Sequence, residues 1–223
     1  DTVRRQRQMC IRDSNNTIFG TQFHSFPDVN CPLFADMSSD IFSRKINFSK
    51  FDLIYAGAQK NLGPAGVTMV LIRKSLLKNI SRQVPSMLSY KIHADKDSSF
   101  NTPPVFPIYC VLLNLRMIKN DGLDNIGSNN DLKSKLIYEE IDNNKCFSGF
   151  SHVDDRSQMN ATFNLNDEFN GELFNEICKE NNISGINGHR SVGGYRASIY
   201  NALPIDSVKL LIKCMKEFES NYN

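Results

Sequence analysis

The sequence predicts an α/β protein in two parts: a mixed sheet with its helices, followed by a smaller α+β domain. Three observations predict it. Phe51 to Ala58 and Val67 to Ile72 are nearly continuous apolar runs, as expected of strands covered on both faces. Only residues 59–66, which include the Gly63-Pro64-Ala65-Gly66 turn, separate them, a connection short enough for a hairpin in a mixed sheet. Beyond residue 159 the pattern becomes strand, helix, strand, helix.

Composition sets the bounds. The 223 residues are 40% hydrophobic and 22% charged, with a formal net charge of +2, which suits a globular chain with a real core. There is no run of 18 apolar residues, so no transmembrane helix is expected, and no signal-peptide pattern at the start. The charge argues neither for nor against a polyanionic partner. The six cysteines form no C-x-x-C pair and lie apart from the histidines, so neither a metal site nor a disulfide framework is expected. Cys110 and Cys178 read as small core residues. A reducing compartment follows, most simply the cytoplasm.

Residues 1–14 are unlike the rest. Arg4, Arg5, Arg7 and Arg12 crowd together without a period. The segment reads as a foreign or disordered tail, with a basic nucleic-acid-binding arm as the rival reading. Asn15-Asn16-Thr17-Ile18-Phe19-Gly20 is a polar turn. Cys31 to Ala35 is a short strand that delivers Asp36-Met37-Ser38-Ser39. A carboxylate there is either a helix cap or a ligand anchor at the carboxyl edge of a sheet. The run from 51 ends in Gln59-Lys60-Asn61, a lysine on a stiff turn. It is either a solvated loop lysine or an amine placed for Schiff-base chemistry.

Residues 83–102 read as a long surface loop, ending in Asn101-Thr102-Pro103-Pro104. The following helix, Val105 to Ile118, is apolar nearly all round and is expected to be buried. Asp121-Gly122 stops it. The boundary is placed near 125, giving a first domain over 15–125 and a second over 126–223. A helix over 130–142 presents Leu132, Leu136, Ile137 and Ile141. A half-exposed strand follows over 159–165, then a helix over 167–181, a strand over 196–200 and a closing helix over 204–218. Ahead of the last strand stands Gly188-His189-Arg190-Ser191-Val192-Gly193-Gly194-Tyr195-Arg196. It is either a surface loop with solvated arginines or an anion site, since arginine grips carboxylate or phosphate with a planar fork.

Four stretches in order carry a resemblance: Asp36-Met37-Ser38-Ser39; Tyr55 to Gly66; Asn101-Thr102-Pro103-Pro104; and Gly188 to Ala202. From about Asn15 onward the chain closely resembles the phosphoserine aminotransferase family. The resemblance implies a class V aminotransferase of the type I pyridoxal phosphate fold, working as a homodimer on small-molecule substrates. It makes this chain the C-terminal part of the large cofactor-binding domain plus the small domain.

By the same resemblance, Lys60 forms the imine with pyridoxal 5'-phosphate and Asp36 pairs with the pyridine nitrogen. Gln59 and Thr17 line the cofactor. Asn101 and Thr102 reach the cofactor phosphate of the other subunit. Arg196 holds the substrate α-carboxylate, and His189 and Arg190 its distal anionic group. Family members are longer at the N-terminus. That extra part carries the aromatic ring that stacks on the cofactor, so a C-terminal fragment, inactive alone, is expected. The alternative is another class V member, such as an alanine-glyoxylate aminotransferase. A cysteine desulfurase would need a cysteine on a mobile loop beside a matching motif.

Overall fold

The computed structural model describes residues 10–78 and 82–222. They divide into two compact units. The first is built from residues 27–41 and 46–120 with the segment ending at Ser14; the second comprises 15–26, 42–45 and 121 onward.

The first unit is organised on a four-stranded sheet: β1 (Cys10–Asp13), β4 (Leu33–Asp36), β5 (Leu53–Gly57) and β6 (Thr68–Ile72), side by side in that order. β1, β4 and β5 run parallel, and β6 returns antiparallel to β5. The sheet is mixed, with the hairpin that the short 58–67 connection predicts. Leu33, Ala35, Ile54 and Ala56 are buried. β1 corrects the expected tail: Cys10↔Leu33 to Asp13↔Asp36 pair in register. Strand pairing there is a backbone matter that an arginine-rich text does not advertise. Arg4, Arg5 and Arg7 lie outside the described residues.

Three further differences concern helices. The predicted loop over 83–102 contains a 3-10 turn at Ser86–Leu88 and the helix α2 (Tyr90–Asp95), after the short α1 (Lys74–Leu77). Ser89 caps α2 through its side chain, which accepts from Ile92 N. α3 (Val105–Asp121) exists as predicted, but of its residues only Ile118 is buried. Val105, Phe106, Tyr109 and Met117 are all more than half exposed. Apolarity on every side predicted burial, and the described residues do not supply that cover.

The second unit is a three-stranded antiparallel sheet, β7 (Phe147–Gly149), β8 (Asn160–Leu165) and β9 (Tyr195–Ser198), with β8 central. Its helices are α4 (Leu123–Asn143), α5 (Gly171–Glu180) and α6 (Ile205–Ser220). Gly122, at φ 77°, makes the break before α4. Asn170 caps α5 by accepting from Glu172 N. One core joins the helices to the strands. Ile137 and Ile141 come from α4, Phe174 and Ile177 from α5, Leu211 and Phe218 from α6, and Phe147, Phe163 and Tyr195 from the strands. The aromatic rings meet mostly edge to face, for example Phe147–Phe174 at 5.0 Å and Phe174–Phe218 at 5.4 Å between centroids. Cys178 is buried there, and burial pushes its thiol up to about 12; Cys110, also read as core, is only partly buried.

β8 was expected to be half exposed, and both its faces are covered. Ala161 and Phe163 face the core. Asn160 and Thr162 are buried beneath the small hairpin β2 (Asn15–Asn16) and β3 (Thr21–Gln22). Asn15 Nδ2 donates to Asn160 Oδ1 at 3.0 Å, and Thr162 Oγ1 donates to the Phe19 carbonyl at 2.9 Å. Gly20 has φ 67°, and a Cβ there would lie 2.3 Å from Thr162 Oγ1. Thus residues 15–26, assigned from sequence to the first domain, pack with the second unit.

Candidate functional site

In the first unit, β4 ends on Asp36 and β5 runs in register beside it, with Asp36 opposite Tyr55. Asp36 Oδ1 accepts from Ser38 N at 2.9 Å. Ser38 Oγ in turn accepts from Gly57 N at 3.1 Å, which ties the ends of both strands together. Asp36 therefore acts less as the cap of a helix than as a carboxylate held at the sheet edge. Tyr55 was not singled out in the sequence. Its hydroxyl is held above the usual phenol range, first by burial, then by the charge of Asp36 and a hydrogen bond to it. An aromatic residue in a strand has many plainer uses, so nothing in the sequence marked it.

Lys60 sits half-exposed on the turn after β5. The turn is stiff for identifiable reasons. The Ala58 carbonyl accepts from Leu62 N at 3.1 Å and Gly63 N at 2.8 Å. Asn61 is buried, and its Nδ2 donates to the carbonyls of Ser39 and Ile41. Asn114 of α3 donates to the Asn61 carbonyl at 2.7 Å. Leu62 is fully buried. Gln59 is exposed, and its side chain folds back over Gly57, where a Cβ would lie 2.5 Å from Gln59 Oε1. Asn101 and Thr102 are exposed ahead of α3. The first unit thus carries Asp36, Gln59 and Lys60 at the carboxyl ends of β4 and β5, with Asn101 and Thr102 apart on the loop before α3.

The second unit brings together Thr17 and Arg196. Arg196 lies on β9, opposite Thr162. Its Nη1 donates to the Thr17 carbonyl at 3.1 Å. Its Nε is buried with no hydrogen-bond partner among the described residues. Arg196 also lines a cavity of about 330 Å³ with Ile186, Ile199 and Leu203. A wider cleft in this unit, about 700 Å³, is lined by Asn164, Asn166, Asp167 and Gly194 and touches none of the predicted site residues.

His189 and Arg190 stand on the glycine turn ahead of β9. The His189 carbonyl accepts from Val192 N at 2.9 Å and Gly193 N at 2.8 Å, and Gly188 N donates to the Gly194 carbonyl at 2.8 Å. Gly193 and Gly194 have φ 76° and 64°. A Cβ on Gly188 would lie 2.0 Å from the Gly193 carbonyl oxygen. Gly188→Ala is therefore expected to open the turn and cost about 2 kcal/mol. Urea unfolding should show the loss, and hydrogen exchange should show the Gly188 amide unprotected. An unchanged midpoint and a protected amide would refute this.

Sequence reasoning also missed Lys133. It is buried on α4, and its Nζ donates to the carbonyls of Ile199 at 3.0 Å, Tyr200 at 2.7 Å and Leu203 at 3.2 Å. These carbonyls belong to the turn that follows β9. Asn130, one helical turn earlier, donates to the Ser43 carbonyl and to Asn201 Oδ1.

Comparison with known proteins places this geometry in context. The family model for class V aminotransferases matches residues 10–211. The chain is 57% identical over 208 residues to a phosphoserine aminotransferase of Flavobacterium psychrophilum, covering 93% of this chain and 58% of the relative. A solved phosphoserine aminotransferase from Bacillus circulans subsp. alkalophilus superposes with TM-score 0.90 at 44% identity, over 96% of this chain and 60% of that one. A second, from Trichomonas vaginalis and bound to pyridoxal phosphate, superposes with TM-score 0.87 at 38% identity, over 92% of this chain and 59% of that one. The chain thus spans about three fifths of the length of the relatives it matches.

Proposed function

The chain belongs to the class V aminotransferase family, and we propose that it carries the catalytic lysine and substrate arginine of a phosphoserine aminotransferase. The reaction moves the amino group of L-glutamate to 3-phosphohydroxypyruvate, giving O-phospho-L-serine and 2-oxoglutarate for serine biosynthesis. The working unit is a cytoplasmic homodimer with no nucleic-acid or membrane partner. No helix among the described residues is long and apolar enough to cross a membrane. The observation that carries the reading is Asp36 at the carboxyl end of β4 with Lys60 on the turn after the neighbouring parallel strand β5.

The donor set fits pyridoxal phosphate. The cofactor needs an acid beside its ring nitrogen, an amine for its aldehyde, and donors for its phosphate. Asp36 is a carboxylate oriented by Ser38 N–H, with Tyr55 opposite it in strand register. Lys60 is an amine on a braced turn. Gln59 and Thr17 line the cofactor, and Asn101 and Thr102 offer a side-chain amide and a hydroxyl to the phosphate in the other subunit. Bound, the cofactor supplies an electron sink for charge developing at the substrate Cα.

The residues of this chain do the rest. Lys60 takes the proton from Cα as a general base and returns one as a general acid. Asp36 keeps the ring nitrogen protonated. Arg196 grips the α-carboxylate with its planar guanidinium. His189 and Arg190 hold the distal carboxylate or phosphate. Glutamate and phosphoserine each carry two anionic ends, which suits a site built from arginines and a histidine.

Titrating pyridoxal phosphate into the chain should give a visible absorbance band, and a chain that develops none would sink the reading. Turnover of glutamate by these 223 residues alone is not expected, since they span 58% of the relatives' length and expose the apolar side chains of α3. Arg196→Lys keeps the charge and loses the fork. It should weaken glutamate binding to the loaded chain by about 2 kcal/mol, read from the band as glutamate is added. Equal affinities would remove Arg196 from the carboxylate site.

A further inference from the structure

The imidazole of His189 is held from one side. Its Nδ1 lies 2.7 Å from Ser191 Oγ, and the Ser191 backbone N–H donates to the same nitrogen at 3.3 Å. An N–H cannot accept, so Nδ1 must be the acceptor in that contact, and a neutral imidazole that accepts at Nδ1 carries its proton on Nε2. The hydroxyl then also donates to Nδ1. The serine cannot drift away, because the His189 carbonyl closes the turn by accepting from Val192 N and Gly193 N. The turn exists only because Gly188 leaves room for the Gly193 carbonyl. Nε2, by contrast, has no partner among the described residues.

We infer that Ser191 is a positioning residue that fixes His189 in the Nε2–H form, so that the ring presents one N–H donor to the distal anionic group of the substrate. The inference rests on the proposed role of His189. It adds that the donor is set by a neighbour and not by the histidine alone. A hydrogen bond aimed at phosphate needs its proton on the outer nitrogen and its ring plane fixed beforehand. Ser191 supplies both for the cost of one local turn. Arg190, on the same turn and exposed, supplies charge without such constraint.

The test uses the whole chain labelled with ¹⁵N. Long-range proton–nitrogen spectra distinguish protonated from unprotonated ring nitrogens, and the signal of His189 is found among the four histidines by its loss in His189→Gln. Wild type should show Nδ1 unprotonated and Nε2 protonated. Imidazole free in water already leans this way, so the deciding comparison is Ser191→Ala: the backbone N–H at position 191 remains at 3.3 Å, but loss of the shorter hydroxyl contact at 2.7 Å should move the two nitrogen shifts part of the way toward each other as the forms mix. Ser191→Thr, which keeps the hydroxyl, should restore the wild-type pattern. Inorganic phosphate is the ligand probe. Its affinity should fall about threefold to tenfold in Ser191→Ala, the worth of one neutral hydrogen bond, and recover in Ser191→Thr.

Identical nitrogen shifts in wild type and Ser191→Ala would overturn the inference, as would a wild-type Nδ1 that carries the proton. Failure of the underlying reading looks different: phosphate affinity unchanged by His189→Gln removes His189 from the anion site, whatever the spectra show. Phosphate binding that needs His189 but is unchanged in Ser191→Ala overturns the positioning role and leaves that of His189 standing.

Discussion

Replacing Lys60 with alanine is expected to abolish the absorbance band formed with pyridoxal phosphate. The expectation is a complete loss and not a weakening, because only a lysine amine can bond to the aldehyde at that place. Borohydride treatment of the wild-type mixture should leave a stable mass increment on the peptide containing Lys60, and none in the variant. The fold should persist. The turn is held by the Ala58 carbonyl, by buried Asn61 and Leu62, and by Asn114, none of which needs the lysine side chain. The change in stability should therefore stay within about 0.5 kcal/mol. Lys74→Ala, at an exposed position on α1, serves as the control and should leave the band intact. A band that survives in Lys60→Ala would move the attachment to another lysine and would undo the assignment of Asp36 with it, since the same resemblance assigned both.

That Asp36 and Lys60 stand at or just beyond strand ends was legible because each follows a short apolar run; the roles given to them come from the resemblance alone. The structure adds what joins them, Ser38 bonded to both strand ends and Tyr55 opposite Asp36. Those partners are tertiary, so no spacing in the chain announces them. The buried asparagines are the same kind of case. No pattern in the sequence placed Asn61, Asn130 or Asn160 inside, yet each is buried and donates to backbone carbonyls or to side chains distant in sequence. The polar face of β8 looked solvent-exposed because the hairpin that covers it lies more than a hundred residues earlier. β1 was hidden for the opposite reason: its pairing with β4 is carried by backbone groups. α3 shows a limit of periodicity. A helix apolar all round states that its faces avoid water, but not which residues cover them.

Lys133 is where pattern reading failed most, and it carries the second large expected effect. On α4 the apolar face was read through Leu132, which is exposed at 45%, while Lys133 beside it is exposed at only 2%. Burial lowers its amine to about 8, against an ordinary value of 10.5. Its three carbonyl acceptors explain why a lysine is tolerated there at all. Lys133→Met keeps the length and removes every donor. The carbonyls of Ile199, Tyr200 and Leu203 then lose their partner, and the expected cost at pH 7 is about 3 kcal/mol, read from urea unfolding.

The dependence on pH separates this from a simple packing defect. Between about 8 and 10.5 the unfolded lysine holds a proton that the folded one has released. Unfolding takes up protons in that window, so the contribution of Lys133 to stability rises with pH there. In the wild type this group should add a rising slope from pH 8 to 10.5, and Lys133→Met should lack it. The gap between the two proteins should therefore widen on going alkaline. Parallel stability curves across that window would show that the amine titrates alike in the folded and unfolded chain, which would overturn the lowered value. An unchanged stability at pH 7 would go further, because it would show that the turn after β9, and with it the end of the strand bearing Arg196, holds without the three bonds from α4.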